Sequence, residues 1–448
     1  MSLDSKPLYA HQERVVSAAM LMPRLWINAA YGTGKSRMAL EIIKRKKAKA
    51  LVIAPLTLIE TSWRGDHSRF GYEYRFRNMR DNNIAYQVDG AATPGTQLWI
   101  VNPEAFIRLK HLDLIDWDAI IIDEASRLKN RTSKIAKAVY EMSKRVKSVY
   151  LLSGNLAPND ESELWSPIRC LDPELLGESW YGFLNRYFYS EVGYAPGRRQ
   201  FKKWHMRADK RQELADKLKR VSIRIGKEDA PELPPQTFIV REIELEPEQR
   251  RVYDELKKEW ITQHKGETIL AANALSELSK LRQIASGFIY NGPGTSLRLG
   301  AAKLQALSEV LDEIGNQQVV IFDVWQESIR QIKEALGEKA GCVYGEATAT
   351  EKTDAIKAFQ EGKLQYLVAH PRSGGVGLNL QNSCYTVHSS IDYSLEGHEQ
   401  SLARISRSGQ TRPCTHTFLL GRNTVDEAIY EALQKKADIS KALQEAMR

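Results

Sequence analysis

Residues 29–36, AAYGTGKS, place two glycines before a lysine and a hydroxyl, which is the spacing of a phosphate-binding loop. Gly32 and Gly34 would allow backbone N–H groups to wrap round phosphate oxygens. Lys35 would then reach the β- and γ-phosphates of ATP, and the Ser36 hydroxyl would ligate Mg²⁺. Alanine occupies the first position, where glycine is usual, and is small enough to keep the entry turn of the loop. The stretch therefore predicts a working nucleotide site.

Two adjacent carboxylates, Asp123 and Glu124, follow an apolar run in residues 120–130, IIIDEASRLKN. An unpaired charge at the end of a buried strand is costly, so a functional reason is expected. Asp123 could hold a hydrated Mg²⁺, while Glu124 orients and deprotonates the attacking water. The alternative is a strand-end pair that only caps the next helix. The phosphate-binding loop upstream favours the catalytic interpretation.

Two arginines stand three residues apart in residues 399–413, EQSLARISRSGQTRP. On a helix, Arg404 and Arg407 would point the same way. Two guanidinium groups on one face suit the charge that develops on a transferring γ-phosphate. The alternative is a pair of solvated arginines on an amphipathic helix. Their combination with the loop and the carboxylates favours an arginine-finger role.

The phosphate-binding loop, the carboxylates and the arginines lie among apolar runs of about five residues. Each run ends in polar or small residues, which is typical of buried parallel strands. In the first third they cover 25–30, 51–55, 98–103, 119–125 and 149–155, and in the last third 318–324, 341–346, 366–371, 384–390 and 415–420. The middle is richer in helix formers and charges. We predict an α/β fold with lobes at 1–157 and 299–448, separated by a helical insertion and linker at 158–298.

The ordered motifs resemble those of the DExx-box motors of helicase superfamily two, and within it the Swi/Snf-like branch of double-stranded DNA translocases. AAYGTGKS resembles motif I, DEAS motif II, LLSGNLAPND (151–160) motif III, PRSGGVGLNLQ (371–381) motif V and QSLARISRSGQ (400–410) motif VI. The resemblance covers nearly the whole chain. It implies two tandem RecA-like lobes with ATP in the cleft between them.

The resemblance also implies roles for further residues. The segment LYAHQERVV (8–16) is similar to an adenine-reading segment, which puts Gln12 on the base. Further nucleotide contacts are implied for Ala30, Tyr31, Thr33, Gly377 and Asn379. Contacts to DNA phosphates are implied for Leu56, Thr57, Asn102, Lys129 and Ser373.

Two positions depart from the family pattern. Asn155 stands where motif III usually has threonine, and Ser126 stands where many relatives have histidine. The first change bears on the coupling of hydrolysis to DNA, and the second removes one possible link between motifs II and III. Neither touches Lys35, Glu124 or the arginine pair, so we expect hydrolysis to survive.

Composition favours a polyanionic partner. The 448 residues carry a net charge of +8, and residues 196–228 alone hold twelve Lys/Arg and four Asp/Glu together with Phe201 and Trp204. A solvated face would also explain this run, but interleaved aromatics favour a nucleic-acid surface. No apolar run is long enough to span a bilayer. Four scattered cysteines without a CxxC spacing predict a reduced cytoplasm. The resemblance implies that this is the cytoplasm of a bacterium or a phage-infected cell.

Three functions fit these motifs. The first is translocation along double-stranded DNA, largely independent of its sequence and without strand separation. The second is a strand-separating DNA or RNA helicase, which would need a wedge such as a hairpin within 180–205, where tyrosines and phenylalanines cluster. Core packing is the preferred interpretation of that cluster. The third is an ATP-gated clamp that holds DNA or recruits another protein.

Overall fold

The computed structural model describes residues 7–73, 75–78, 95–195, 199–230, 233–263, 271–292, 295–371, 380–407 and 409–446. The first of two large sheets is parallel throughout, with the strand order β3-β4-β2-β5-β6-β1-β9. Its strands are β1 Arg24–Ala29, β2 Lys49–Ile53, β3 Arg75–Asn78, β4 Gln97–Val101, β5 Ala119–Asp123, β6 Ser148–Leu152 and β9 Ser222–Ile225.

The second large sheet is also parallel, with the order β10-β17-β16-β13-β15-β14. Its strands are β10 Gln236–Ile243, β13 Val319–Phe322, β14 Ala340–Val343, β15 Tyr366–Ala369, β16 Tyr385–His388 and β17 Cys414–Gly421. Two antiparallel hairpins, β7 Phe188–Ala195 with β8 Arg199–Met206 and β11 Phe288–Gly292 with β12 Thr295–Arg298, stand apart from both sheets. All ten apolar runs form strands as predicted, and the α/β fold class is confirmed.

Helices cover the faces of both sheets. In chain order they are α1 Ala10–Leu21, α2 Lys35–Lys46, α3 Leu56–Leu58, α4 Gly65–Arg69, α5 Pro103–Arg108, α6 Lys134–Ser143, α7 Trp165–Ile168, α8 Trp180–Tyr187, α9 Arg211–Lys219, α10 Pro247–Gln263, α11 Ala271–Ala285, α12 Ala302–Ile314, α13 Gln326–Leu336, α14 Ala349–Gln360, α15 Leu395–Leu402 and α16 Val425–Ala446. A π-helical segment, Ile59–Arg64, connects α3 to α4.

The helix after the phosphate loop illustrates how the sequence forms these elements. In α2, Met38, Ala39, Ile42 and Ile43 are buried against the first sheet, as their spacing predicts. Lys44, Arg45 and Lys46 occupy the last turn, where positive charge is favoured by the helix dipole. Helix α2 therefore begins directly at the phosphate loop, and its apolar face packs against the first sheet.

The middle segment contributes more than helices. Strand β9 pairs with β1 in the first sheet, and strand β10 pairs with β17 in the second. Both strands lie within the predicted insertion at 158–298, and each forms an edge of its sheet. The division of the chain at 157 and 298 stays a prediction, but the segment between them completes both sheets.

Three histidines, His388, His398 and His416, pack together beside the aromatic ring of Phe418 in the second lobe. The rings of His388 and Phe418 stack at 4.5 Å, and Thr386 Oγ1 lies 2.7 Å from His416 Nδ1. Burial lowers the pKa of His416 to about 3 and that of His398 to about 4, and it lowers the pKa of His388 well below its ordinary value. The cluster is therefore held neutral.

This cluster predicts a loss of stability in mild acid. Because the folded-state pKa values lie below the ordinary 6.5, the unfolded chain binds more protons below that pH. Stability is present above pH 6.5 and falls as the pH drops toward 4, by about 2 kcal/mol per buried histidine at pH 5. Urea unfolding at pH 7.5 and pH 5 measures this. His416→Leu should lose less stability than the wild type between the two pH values, and an equal loss would contradict the prediction.

Candidate nucleotide site

The phosphate-binding loop joins β1 to α2 and approaches the second lobe closely. Gly32 and Gly34 have φ of 84° and 83°, a left-handed conformation that favours glycine. A Cβ atom at position 32 would lie 3.0 Å from the carbonyl oxygen of Ser406 and 3.1 Å from the Cα of Arg407. Only glycine fits between the loop and that segment. Ala29 is buried at the end of β1 and has no such backbone requirement, so its side chain is no obstacle.

Lys35 is half-buried within the phosphate loop. Its Nζ donates to the carbonyl oxygen of Ala29 at 3.0 Å and lies 4.6 Å from the centre of the Tyr31 ring. Burial lowers the pKa of Lys35, and the nearby Glu124 and Asp123 carboxylates oppose that change. Lys35 and the two acids line the same cavity.

Asp123 is the last residue of strand β5, Glu124 follows it, and both are buried. Asp123 accepts hydrogen bonds from the indole Nε1 of Trp63 at 2.8 Å and from the N–H of Glu124 at 3.0 Å. Glu124 has φ of 53°, an uncommon conformation for a residue with a side chain and one that clusters at functional sites. Burial raises its pKa to about 8, and its Oε2 has no hydrogen-bond partner among the described residues. An unsatisfied buried carboxylate oxygen is suited to accept a hydrogen bond from a water or a ligand.

Arg404 and Arg407 meet the acids from the second lobe, but the helical argument for them is wrong. Helix α15 ends at Leu402, and both arginines lie in the turn that follows. The carbonyl of Arg404 accepts from the N–H of Leu380 at 3.1 Å, which draws the chain out of the helical path. Burial lowers the pKa of Arg404 to about 10, with Arg407 adding to the effect. One of its guanidinium nitrogens, Nη2, has no partner among the described residues.

A single cavity of about 90 Å³ brings the two halves together. Its walls combine the phosphate loop, the DEAS carboxylates and the arginine turn: Tyr31, Gly32, Gly34, Lys35, Ser36, Leu58, Ser62, Asp66, Asp123, Glu124, Gln400, Ala403, Arg404 and Arg407. A second cavity of about 230 Å³ also borders Tyr31 and Ala403 and is lined by Lys227 and Glu399. The smaller cavity carries the carboxylates, so it is the candidate site of phosphate chemistry.

Sequence reasoning did not find three residues of this site. Ser62 and Asp66 line the cavity, and the Trp63 indole donates a hydrogen bond that orients Asp123. Burial raises the pKa of Asp66 to about 6, against the attraction of Arg407. The Ser62 hydroxyl lies 2.9 Å from that of Ser36. All three come from the segment after β2, which carries no motif that would have marked them.

Gln12 contacts the loop itself. Its Nε2 donates to the carbonyl oxygen of Thr33 at 3.1 Å, and its Oε1 accepts from the N–H of Tyr9 at 3.2 Å. His11 Nε2 lies 3.1 Å from the same Thr33 oxygen. Ala30 is tied to β9 by its N–H, which donates to the carbonyl of Ile225 at 2.9 Å. The start of α1 therefore braces the loop, and the adenine contact of Gln12 stays a prediction.

Ser126 makes a contact that the motif comparison did not suggest. Its Oγ donates to Glu396 Oε1 at 2.9 Å, across the boundary between the lobes. Asn155, the other departure, uses its Oδ1 to accept from the N–H of Ala157 at 2.9 Å within its own turn. Motif II is therefore linked to the second lobe directly through the residue that replaces histidine.

The predicted DNA contacts follow three neighbouring strands of the first sheet. Leu56, after β2, is 42% exposed, and the backbone of Thr57 continues the same short helix. Asn102 follows β4 and donates to Glu104 Oε2 at 2.6 Å, and Lys129 follows β5, 3.7 Å from a Glu163 carboxylate oxygen. Because parallel strands end at one edge, these residues share that edge. The predicted contacts Ser373, Gly377 and Asn379 lie outside the described residues.

Comparison with protein families identifies the chain. A model of the SNF2-related domain matches residues 34–287, more than half of the sequence, and a model of the helicase conserved C-terminal domain matches residues 302–409. The chain belongs to the SNF2-related family. The first matched range contains the end of the phosphate loop, residues 34–36, and the DEAS carboxylates, and the second contains the two arginines.

Individual relatives of this SNF2-related chain include a phage protein and longer proteins. It is 26% identical to putative protein p41 of Acyrthosiphon pisum secondary endosymbiont phage 1, over 98% of both chains. It is 25% identical to chromodomain-helicase-DNA-binding protein 1-like of Danio rerio over 86% of this chain, but spans only 38% of that protein. A solved SWI2/SNF2 ATPase core of Sulfolobus solfataricus in complex with dsDNA is 23% identical, with 98% of this chain and 93% of that chain covered and a TM-score of 0.46.

Family membership and the two parallel sheets confirm the predicted architecture, a helicase-superfamily-two protein of the Swi/Snf-like type with tandem RecA-like lobes. The SNF2-related chain is accordingly an ATP-hydrolysing, helicase-like protein. Among the described residues, no helix has both the length and the apolar character needed to cross a membrane.

Gly32→Ala should push the phosphate loop away from the arginine turn of the second lobe. The added methyl group meets backbone atoms of Ser406 and Arg407, and the φ of 84° is strained for alanine. We expect kcat/KM for ATP to fall about a hundredfold, because small displacements of catalytic groups have effects of that size. Gly71→Ala is the matched control, with φ of 62° and open space at its Cβ. Steady-state ATPase rates that fall equally in both variants would contradict the steric explanation.

Ser126→Ala should weaken the closed arrangement of the lobes. A hydrogen bond to a carboxylate contributes about 1.5 kcal/mol, which corresponds to about tenfold in affinity. We expect the KM for ATP to rise by up to about tenfold with little change in kcat, and Ser126→Thr to restore it. Initial rates at varied ATP concentration test this. An unchanged KM in the alanine variant would show that the Ser126–Glu396 contact has no part in closure.

Proposed function

We propose that this chain is a DNA-dependent ATPase that translocates along double-stranded DNA without separating its strands. The observation that carries the proposal is the shared cavity, where Lys35 and Glu124 from one lobe face Arg404 and Arg407 from the other. A site divided between two lobes is complete only when the lobes are together. ATP bound there would favour closure, and loss of its γ-phosphate would favour opening.

The residues suggest a division of labour in hydrolysis. The loop N–H groups and Lys35 would bind the phosphates of ATP, the substrate. In its ionised form Glu124 would take a proton from the attacking water, because its Oε2 has no hydrogen-bond partner among the described residues. Its raised pKa makes that carboxylate a stronger base than an exposed one. Arg404 and Arg407 would stabilise the negative charge that builds up on the γ-phosphate oxygens. These roles are proposals that rest on the geometry of the cavity.

A magnesium ion fits the oxygen donors at one side of this cavity. Ser36 supplies a hydroxyl and Asp123 a buried carboxylate, the ligand types that Mg²⁺ prefers, and both line the cavity. When bound, the ion would neutralise part of the phosphate charge. Asp123 is already held in place by Trp63 and by the Glu124 N–H, so its orientation does not depend on a ligand.

Contact with DNA is supported by the edge where β2, β4 and β5 end. Asn102 and Lys129 there bind carboxylates of Glu104 and Glu163, groups that phosphate oxygens could replace. Leu56 and Thr57 stand on the same edge, and Ser373 of motif V is the contact proposed from the second lobe. None of these residues belongs to a base-reading module, so we propose that DNA binding is independent of sequence. We also propose that the protein acts in the cytoplasm of a bacterial or phage-infected cell.

The deciding experiment is ATP hydrolysis by the purified chain with no nucleic acid, single-stranded DNA, duplex DNA or duplex RNA. We expect duplex DNA to stimulate the rate strongly and Glu124→Gln to lower kcat at least a hundredfold, because the proton acceptor is lost. Glu313→Gln, a change at an exposed carboxylate of the second lobe, is the matched control and should keep the wild-type rate.

The other outcomes separate the alternatives. Stimulation mainly by single-stranded DNA or by RNA would favour a strand-separating helicase. Stimulation by duplex DNA without displacement of a third strand from a triplex would favour an ATP-gated clamp. A Glu124→Gln variant with full activity would reject the proposed catalytic site altogether.

A further inference from the structure

The hairpin of β7 and β8 is a separate two-stranded sheet. Its pairing runs from Phe188 opposite Met206 to Ala195 opposite Arg199. Eight residues in each strand give a length of about 26 Å. Isolated two-stranded hairpins are marginally stable in water, and this one is anchored at its base, where Phe188 is buried in the core of the first lobe and Trp204 packs against that core.

The base of the hairpin adjoins the segment that follows the DEAS carboxylates. Lys129 lies 3.7 Å from Glu163, which belongs to the turn Glu161–Leu164 that β8 contacts. Arg131 lies over the ring of Trp180, the first residue of the helix leading into β7, at 5.4 Å. The hairpin therefore emerges beside the proposed DNA-binding edge of the first lobe.

An aromatic pair with one exposed ring lies just above this base. Tyr189 is 53% exposed, and its ring stacks on that of the half-buried His205 from the paired strand, with centroids 5.4 Å apart and planes inclined by 23°. His205 Nε2 lies 3.2 Å from a carboxylate oxygen of Glu191 in β7. The sequence of residues 198–207, RRQFKKWHMR, has five Lys/Arg and no Asp/Glu. Lysines on unpaired strand edges deter aggregation, but that role does not require the exposed Tyr189 ring.

Basic chain combined with exposed aromatic rings is the chemistry that binds unpaired nucleotides. We propose that the β7–β8 hairpin binds single-stranded DNA at a junction with duplex, with Tyr189 stacking on a base. This inference rests on the proposed function, since the duplex arm would occupy the motor while the hairpin holds the unpaired arm. Branched DNA would then be the preferred substrate over plain duplex.

The test compares binding of the full-length chain to a forked duplex with oligothymidine arms and to a blunt duplex with the same number of phosphates, by fluorescence anisotropy at one salt concentration. Equal phosphate numbers cancel the counterion contribution to affinity. We expect the wild type to bind the fork about tenfold more tightly, the range of one stacked base. Tyr189→Ala should abolish this preference, and Tyr189→Phe should keep it.

Tyr181→Ala is the matched control, because Tyr181 is 65% exposed on the preceding helix. It should behave like the wild type. Three results would each overturn the proposal. The wild type could bind both DNAs equally well, Tyr189→Ala could lower the affinity for both DNAs by the same factor, or Tyr181→Ala could lose the fork preference as Tyr189→Ala does.

Duplex-stimulated ATPase activity is measured on the same proteins and should stay within about twofold in Tyr189→Ala. Fork binding does not require hydrolysis, so the two ideas can fail separately. Loss of duplex stimulation in the wild type would reject the motor and leave the binding result readable. Retained stimulation without fork preference would reject the hairpin alone.

Discussion

Buried charges of opposite sign, drawn from two lobes, are the constraint on which the site depends. Glu124 in the first lobe and Arg404 in the second are both buried, and a buried ion without compensation is strongly destabilising. Each group favours the charged state of the other. Burial acts against this, because it raises the pKa of Glu124 and lowers that of Arg404 and so favours the neutral form of both. The facing cations and carboxylates therefore favour contact between the lobes, and they leave polar atoms on both sides unsatisfied for a ligand to complete.

Parallel sheets make such an arrangement possible. Each strand of the first sheet ends at the same edge, so the phosphate loop after β1, the carboxylates after β5 and the turn after β6 converge without any being close in sequence. Gly32 then allows the second lobe to reach van der Waals distance of the loop. The sheet positions the groups, and the missing side chain at Gly32 determines how closely the lobes meet.

The parts that could be predicted are those with a strong local pattern. Apolar runs mark the central strands because those are buried on both faces, whereas β10 was missed because it is an edge strand with Phe238 and Ile239 partly exposed among charged residues. The arginines were placed in one site by motif, although the helix inferred for them ends too early. The presence of Asp66 in the cavity could not be predicted. It depends on the preceding π-helical segment, Ile59–Arg64, whose Trp63 donates to Asp123 at the end of β5.

The two departures from the family pattern make different contacts beside the DEAS carboxylates. The Asn155 side-chain oxygen accepts from the N–H of Ala157 in its own turn, and Ser126, two residues after Glu124, is bonded to Glu396 of the second lobe. Glu396 lies on α15, which leads directly into the arginine turn. Opening the lobes would therefore break the Ser126 bond and withdraw Arg404 from Glu124 in the same motion. The residue that replaces histidine in motif II thus stands on a short path from the DEAS carboxylates to the arginine turn.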